Sequence, residues 1–258
     1  MGIIINNLTF AYEKGKPILN NISIQSESRS IGIVGTSGSG KSTLLRLLCG
    51  LIKKNKSNEL EGNFSIDKLD MATLIKSNKI GFMFQEDALL PYLTVEGNVK
   101  LPLKLLKYKD FKIVSEYIEK VGLFNDRSKI PCELSGGMRT RVALARTFVT
   151  KPNVLLLDEP FTGLDEYWRT TLYVELEQLR SDVNPFTALV THQIEEALIL
   201  CNHIFVLGRK GHILKDFLIE KNLPRVSSLD PMAGLKDIQL EIKELILKDS
   251  TENEKNKY

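Results

Sequence analysis

Apolar residues run through this chain in two rhythms. Ile31-Gly32-Ile33-Val34 and Val154-Leu155-Leu156-Leu157 are short unbroken runs of the kind buried strands carry, and similar runs recur at 187–190 and 204–207. Ile3 to Ile24 mixes apolar and polar positions in the manner of an antiparallel strand layer, and Asn63 to Phe84 predicts further strands. Helical spacing takes over from Thr43 to Leu51 and again from about Val95 to Thr150, closing with a helix over Met138 to Val149. Gly211-His212-Ile213-Leu214 opens a last hairpin arm, and Met232 to Leu247 returns to helical spacing. Asp249 to Tyr258 has no apolar residue before its last and predicts a disordered tail. Strands and helices thus alternate along one α/β unit without an internal repeat.

The strand at 31–34 runs into Gly35-Thr36-Ser37-Gly38-Ser39-Gly40-Lys41-Ser42-Thr43, which fits G-x-x-x-x-G-K-[ST]. Glycines let such a loop curl so that its amides point inward at phosphate oxygens. Lys41 brings a positive charge to the β and γ phosphates, and the Ser42 hydroxyl is placed to ligate Mg²⁺. The helix that follows favours the anion through its N-terminal dipole. A Gly/Ser-rich turn before a helix also occurs without a ligand, but here strand, loop and helix come in the order that phosphate binding needs.

Val154 to Leu157 ends in Asp158-Glu159-Pro160. Alone, this also fits a core strand capped by solvated acids. Downstream of a phosphate loop the two carboxylates divide the work: Asp158 reaches Mg²⁺ through water, and Glu159 polarises the attacking water. Two residues are needed because the metal-side acid must stay ionised while the other accepts a proton.

Leu134-Ser135-Gly136-Gly137-Met138-Arg139 separates this chain from other owners of a phosphate loop. Ser135 can cap the following helix, and the glycines bare amides at its positive end. The string resembles the signature of ABC-transporter ATPase subunits. That resemblance spans roughly residues 1–225 and implies an α/β P-loop NTPase (RecA-like) core with an antiparallel β subdomain and an inserted α-helical subdomain at about 95–150. A C-terminal helical extension over 226–248 and the tail at 249–258 follow it. The resemblance further implies that Ser135, Gly136 and Gly137 cover the γ-phosphate held by the opposite subunit, so a complete site requires a head-to-tail homodimer with ATP at the interface. Tyr12 is similar to the aromatic that stacks on adenine, and Gln85 to the glutamine that senses Mg²⁺ and the attacking water. Asp165, in Gly163-Leu164-Asp165, resembles the loop through which subunits communicate, and His192 the switch histidine that contacts the γ-phosphate. Without the resemblance, Tyr12 and His192 read as packing residues at strand ends, Gln85 as a solvated loop residue and Gly163 as a turn. The chain departs from the family pattern at Tyr92, Thr140, Thr162-Gly163 and Gln193, where Trp, Gln, Gly-Ala and an acid are more usual.

Composition changes this picture little. With 258 residues and 43% hydrophobic content the chain can bury a large core without staples. Cys49, Cys132 and Cys201 are odd in number and lack metal-ligand spacing, which predicts reduced, buried thiols in an intracellular protein. Apolar runs fall short of the ~18 residues that cross a membrane as a helix. Met1 to Phe10 reads as a strand and not as a signal peptide. Asn6 breaks the myristoylation pattern that Gly2 begins, and the sequons at Asn7, Asn21 and Asn63 fall in predicted strands. A net charge of +3, from 35 basic and 32 acidic residues, is too balanced to point to nucleic acid. Lys100, Lys104, Lys107, Lys109 and Lys112, interleaved with leucines, fit either a solvated helix face or a surface drawn to anionic lipid headgroups.

Glu86 to Val99 contains an apolar loop, Leu89-Leu90-Pro91-Tyr92-Leu93, and resembles the segment of importer and some exporter subunits that sits under a membrane permease. Ser135-Gly136-Gly137-Met138-Arg139, Asp158-Glu159-Pro160-Phe161, Thr191 to Leu198 and Leu223-Pro224-Arg225 are together most similar to the nitrate/sulfonate/taurine importers. That group includes importers of thiamine pyrimidine precursors. The resemblance implies integral membrane permease subunits, a periplasmic or lipid-anchored solute-binding protein, and a peripheral place on the cytoplasmic face of a bacterial membrane. An exporter or lipoprotein-release ATPase is the alternative, though such chains more often carry Glu or Gln where Met138 stands. A soluble ABC ATPase acting on DNA or ribosomes fits less well: the insertion before the signature is too short for a long coiled coil, and the nucleotide unit is single. A regulatory module without turnover would have lost Glu159 or His192, and both are present.

Overall fold

Strand β1 (Ile3–Ala11) first buries its odd positions, Ile3 and Ile5, and then its even ones, Leu8 and Phe10. The slip in phase is absorbed at Asn7, whose φ of 49° asparagine tolerates better than most residues. Antiparallel β2 (Leu19–Ser26) slips in step at Asn21, φ 51°, whose side-chain oxygen accepts from Asn7 Nδ2 at 2.8 Å. After β3 (Ser30–Val34) and α1 (Lys41–Leu48), β4 (Glu59–Ile66) pairs with the other edge of β1, and β5 (Leu69–Asp70) pairs with β4. The order β2-β1-β4-β5 is the antiparallel layer expected from the sequence. The stretch from Asn63 to Phe84, read as strands, is interrupted by helix α2 (Met71–Lys76). Asp70 starts this helix by accepting the Thr73 amide at 2.8 Å, a bond that holds the Asp70 carboxyl below its ordinary range.

The computed structural model describes residues 2–77, 79–219, 225–227 and 230–255. It forms two compact units, one taking in residues up to Lys76 and from Phe186 onward, the other Ser77–Pro185. In the second unit β6 (Ile80–Met83) pairs in parallel with β7 (Val154–Asp158). Between these strands in the sequence come α3 (Val95–Leu105), α4 (Lys112–Lys120) and α5 (Gly136–Phe148), the helical insertion expected there. Val99, Leu103, Ile118 and Phe148 bury its inner faces, and α6 (Glu166–Val183) follows β7.

The first unit resumes with β8 (Phe186–Thr191), α7 (Ile194–Leu200), β9 (His203–Leu207), β10 (Ile213–Leu218) and α8 (Lys236–Lys255). Here β3 lies between β8 and β9, parallel to both, and β10 pairs antiparallel with β9. Every residue of β3, β8 and β9 is buried, which accounts for their unbroken apolar runs.

The tail expected to be disordered is helical as far as Lys255. Its polar residues find partners within reach: Asp249 Oδ2 accepts the Arg209 amide at 2.7 Å, and the Ser250 and Thr251 hydroxyls donate to the carbonyls of Ile246 and Leu247. Two of the three cysteines also differ from expectation. Cys201 is buried, but Cys49 is half-buried and Cys132, in the surface turn Pro131–Glu133, is exposed. Leu223 and Pro224 lie outside the described residues, whereas the guanidinium of Arg225 is buried and donates to Leu198 O at 2.7 Å and Cys201 O at 2.8 Å.

Those carbonyls close the C-terminal end of α7 and have no helical donors of their own. Arg225→Ala strands them in the interior, and we expect a loss of about 2 kcal/mol in urea unfolding. An unchanged unfolding midpoint would show that water replaces the guanidinium.

Candidate nucleotide site

The sequence-predicted residues fall into two sets, one in each unit. In the first unit, the parallel register of β3 and β8 puts Val34 opposite Thr191. Gly35 and His192 therefore leave adjacent strands at the same carboxyl edge, the side where open α/β sheets bind ligands. Gly35 begins the loop where no side chain fits, since a Cβ would lie 2.3 Å from the carbonyl oxygen of Leu207. Gly40 ends it with a φ of 99°, a left-handed turn that delivers the chain into α1 two residues earlier than the sequence suggested.

Between these glycines the backbone wraps the buried Lys41, whose Nζ donates to Gly35 O at 3.0 Å and Thr36 O at 2.9 Å. Thr36 Oγ1 and Ser39 Oγ are buried with no hydrogen-bond partner among the described residues. Orphaned hydroxyls beside a buried cation fit an arriving anion. Ser37 and Gly38 are exposed, and Ser42 is half-buried. Tyr12 joins the set: its hydroxyl lies 3.5 Å from Thr43 Oγ1, its ring is braced edge-on by Phe10, and it is 44% exposed. An open ring beside the loop can stack on a planar base. His192 is exposed at the end of β8, where Thr191 Oγ1 accepts the Gln193 amide at 3.0 Å and bonds to Glu196.

In the second unit, Met83 stands opposite Leu157 in the β6–β7 pair. Gln85 and the pair Asp158-Glu159 therefore lie at one carboxyl edge. Asp158 is fully buried, and Glu159 is half-buried with a φ of 48°. That left-handed backbone costs on the order of 1 kcal/mol for a residue with a side chain. Thr162, one of the departures from the family pattern, donates its hydroxyl to Glu159 Oε2 at 3.3 Å and its amide to Glu159 O. It can thus orient the carboxylate.

Ser135 caps α5, accepting the Met138 amide at 3.3 Å, so that Gly136 and Gly137 form the first helical turn instead of preceding it. Asp165 caps α6 in the same way through the Trp168 amide at 3.0 Å. A side chain at Gly137 would begin 3.7 Å from the Trp168 ring, which makes these two helix starts neighbours. The Arg141 guanidinium stands over the same ring and pairs with Glu175 at 2.7 Å; burial pushes the Glu175 carboxyl up, against the pull of Arg141.

Three contributors went unnoticed in the sequence. Asp87 accepts from Arg139 Nε and Thr140 Oγ1, each at 3.2 Å, and its carbonyl accepts from Arg146 Nη2 at 2.7 Å. Burial draws Arg146 down from its ordinary value, with Asp87 opposing. The loop after Gln85 is thereby tied to the signature helix. Asn98 is wholly buried; its amide donates to Leu90 O, Leu93 O and Thr94 O, and its oxygen accepts the Leu90 amide at 2.8 Å. A polar residue on the apolar face of Val95 and Val99 was the only available signal.

Residues 19–162 match the family model described as ABC transporter. The chain belongs to this family. As an ABC transporter subunit it binds and hydrolyses ATP, and its fold is the P-loop NTPase core with antiparallel β and α-helical subdomains. The aliphatic sulfonates import ATP-binding protein SsuB of Bacillus cereus is 42% identical over 80% of each chain. The formylaminopyrimidine import ATP-binding protein ThiZ of Halalkalibacterium halodurans is 36% identical over 79% of this chain and 78% of its own. A solved dimeric ATP-binding cassette, in a post-hydrolysis state bound to ADP and Pi, superposes with a TM-score of 0.72 at 29% identity, covering 85% of this chain and all of that one. No helix among the described residues is long and apolar enough to cross a membrane.

Asn98→Ala in this ABC subunit removes four hydrogen bonds from the loop at 90–94, and we expect about 3 kcal/mol of destabilisation. Hydrogen exchange at the Leu90 amide should accelerate, and an unaltered exchange rate would refute the pinning role.

Proposed function

We propose that this subunit drives the import of a small solute of the sulfonate, nitrate, taurine or thiamine-precursor class, from the cytoplasmic face of a bacterial membrane. The observation that carries this reading is the 42% identity, over 80% of each chain, with an aliphatic sulfonates import subunit. The partners it calls for are a second copy of the chain, integral membrane permease subunits and a periplasmic or lipid-anchored solute-binding protein. Nucleic acid is not among them. Support for a permease contact comes from the loop at Leu89–Leu93, where Tyr92 is 74% exposed while Asn98 fixes the backbone beneath it. A rigid loop that offers an aromatic ring to solvent suits a docking protein helix. Isolation of the complex and identification of the ligand held by its solute-binding protein would decide the solute class.

Hydrolysis assigns a task to each motif. Tyr12 stacks on adenine, and the amides from Gly35 to Thr43, with Lys41, hold the phosphates. Ser42, Gln85 and Asp158, the last through water, are the hard oxygen donors assigned to Mg²⁺, an ion that keeps phosphate oxygens and waters for its other positions. When bound, Mg²⁺ neutralises charge that builds on the β and γ phosphate oxygens. Glu159 accepts a proton from water as the water oxygen bonds to the γ-phosphorus and the bond to the β-γ bridging oxygen breaks, leaving ADP and phosphate. His192 contacts the γ-phosphate. Ser135, Gly136 and Gly137 of the second copy close on that phosphate, and Asp165 stands on the loop that carries the signal between copies.

Glu159→Gln retains the shape and removes the base, so ATP should bind while turnover falls ~10²–10⁴-fold. Size-exclusion chromatography should then give a monomer without nucleotide and a dimer with ATP, and adding Ser135→Arg should dissolve that dimer. Wild-type turnover in Glu159→Gln refutes the base, whereas a nucleotide-independent dimer that survives Ser135→Arg refutes the sandwich. Separately, Leu90→Glu should abolish transport in reconstituted vesicles with ATP binding intact. Normal transport by that variant would place the docking surface elsewhere.

A further inference from the structure

The lysines between Lys100 and Lys112 do not share one helix face. Helix α3 stops at Leu105, and the chain turns through Lys107, whose φ of 60° lies in the left-handed region. The Lys107 amide donates to Lys104 O at 3.0 Å and the Tyr108 amide to Leu103 O at 2.9 Å. Such a helix-ending turn ordinarily carries glycine where Lys107 stands, so lysine is a costly choice there.

The turn also decides what faces solvent. Leu103 is buried, but Leu105 is 73% exposed and Tyr108 47% exposed. Lys104, Lys107, Lys109 and Lys112 are all exposed in the same segment, and none of the four makes an ion pair among the described residues. Asp110, the one carboxylate between residues 100 and 112, is engaged in accepting the Lys112 amide at 2.9 Å. Lys100 has a different task, with its ammonium 4.1 Å over the Phe111 ring.

A merely solvated face would carry its lysines outward and its leucines inward. Here an isobutyl group and a phenol share the outside with four lysines that form no ion pair among the described residues, against the single carboxylate of Asp110. Aromatic and aliphatic groups ringed by long ammonium side chains suit the boundary of an anionic bilayer, where the apolar parts enter the headgroup layer and the lysine stems snorkel. We infer that the α3–α4 turn is a contact surface for anionic lipid headgroups. It holds the subunit to the bilayer directly and adds to the grip of the permease, since single weak anchors give only marginal membrane binding. This inference rests on the proposed membrane role, and vesicles that lack a permease separate the two.

The test is sedimentation of the purified full chain with vesicles of phosphatidylcholine alone and of phosphatidylcholine mixed with phosphatidylglycerol. Binding to the anionic vesicles should be stronger by about tenfold or more and should fade as salt is added. The triple variant Lys104→Glu/Lys107→Glu/Lys109→Glu should lose on the order of a hundredfold, and Leu105→Ser about tenfold, with ATP hydrolysis unchanged in both. Lys107→Gly suits the left-handed backbone and so guards against misfolding; it should lose about fivefold. Equal binding to both vesicle types, or undiminished binding by the triple variant, overturns the inference. Capture by purified permease without affinity for anionic vesicles overturns it as well. A wild-type chain that bound anionic vesicles but failed to hydrolyse ATP would instead sink the transporter reading.

Discussion

Parallel pairing of buried strands is the constraint from which the site follows. A strand such as β3, buried along its whole length, must pair every amide and carbonyl with its neighbours, and that fixes its register without slack. Register in turn fixes where the chain leaves the sheet. With Val34 opposite Thr191 in one unit and Met83 opposite Leu157 in the other, glycine loop and histidine emerge side by side, as do glutamine and paired acids. The candidate site sits on loops, but the positions of those loops are set by buried apolar strand residues.

Backbone conformation then divides the loop positions into two kinds. Gly35 is sterically obligatory, because the Leu207 carbonyl occupies the place of a side chain. Glu159 adopts a left-handed φ that glycine would take more easily, yet a carboxylate stands there. Its side chain and its carbonyl are both tied to Thr162, which over-determines a conformation the residue would not choose alone. Strain located at the residue proposed as the proton acceptor favours chemistry over stability.

What the sequence made legible was whatever a local pattern encodes. The phosphate loop, the signature and the acidic strand end could be read because each needs particular residue types at fixed spacing, and unbroken apolar runs located β3, β7, β8 and β9. Features that depend on partners distant in sequence were not visible. Asp87 gains its meaning only from Arg139, Thr140 and Arg146, more than fifty residues away, and Arg225 only from the end of α7. The polar tail looked disordered because composition reports no burial, whereas the Arg209 amide gives Asp249 a reason to be ordered. Helix starts were missed for a related reason: Gly40 caps α1 two residues earlier than the apolar rhythm indicated, and Asp70 caps a short helix within a stretch read as strands.

The clasp around Asp87 has a mechanical reading. Its carboxylate, its carbonyl and the neighbouring Ala88 carbonyl are each held by side chains of α5, which bracket the loop from Arg139 to Arg146. Charged and bidentate contacts of this kind have little compliance, and packed protein interiors respond to a push by shifting as blocks and not by stretching. A force applied to the loop would therefore pass to α5 at both Arg139 and Arg146. Loop and helix behave as a connecting rod, and the stiffness of that rod bounds how far one end can move before the other must follow.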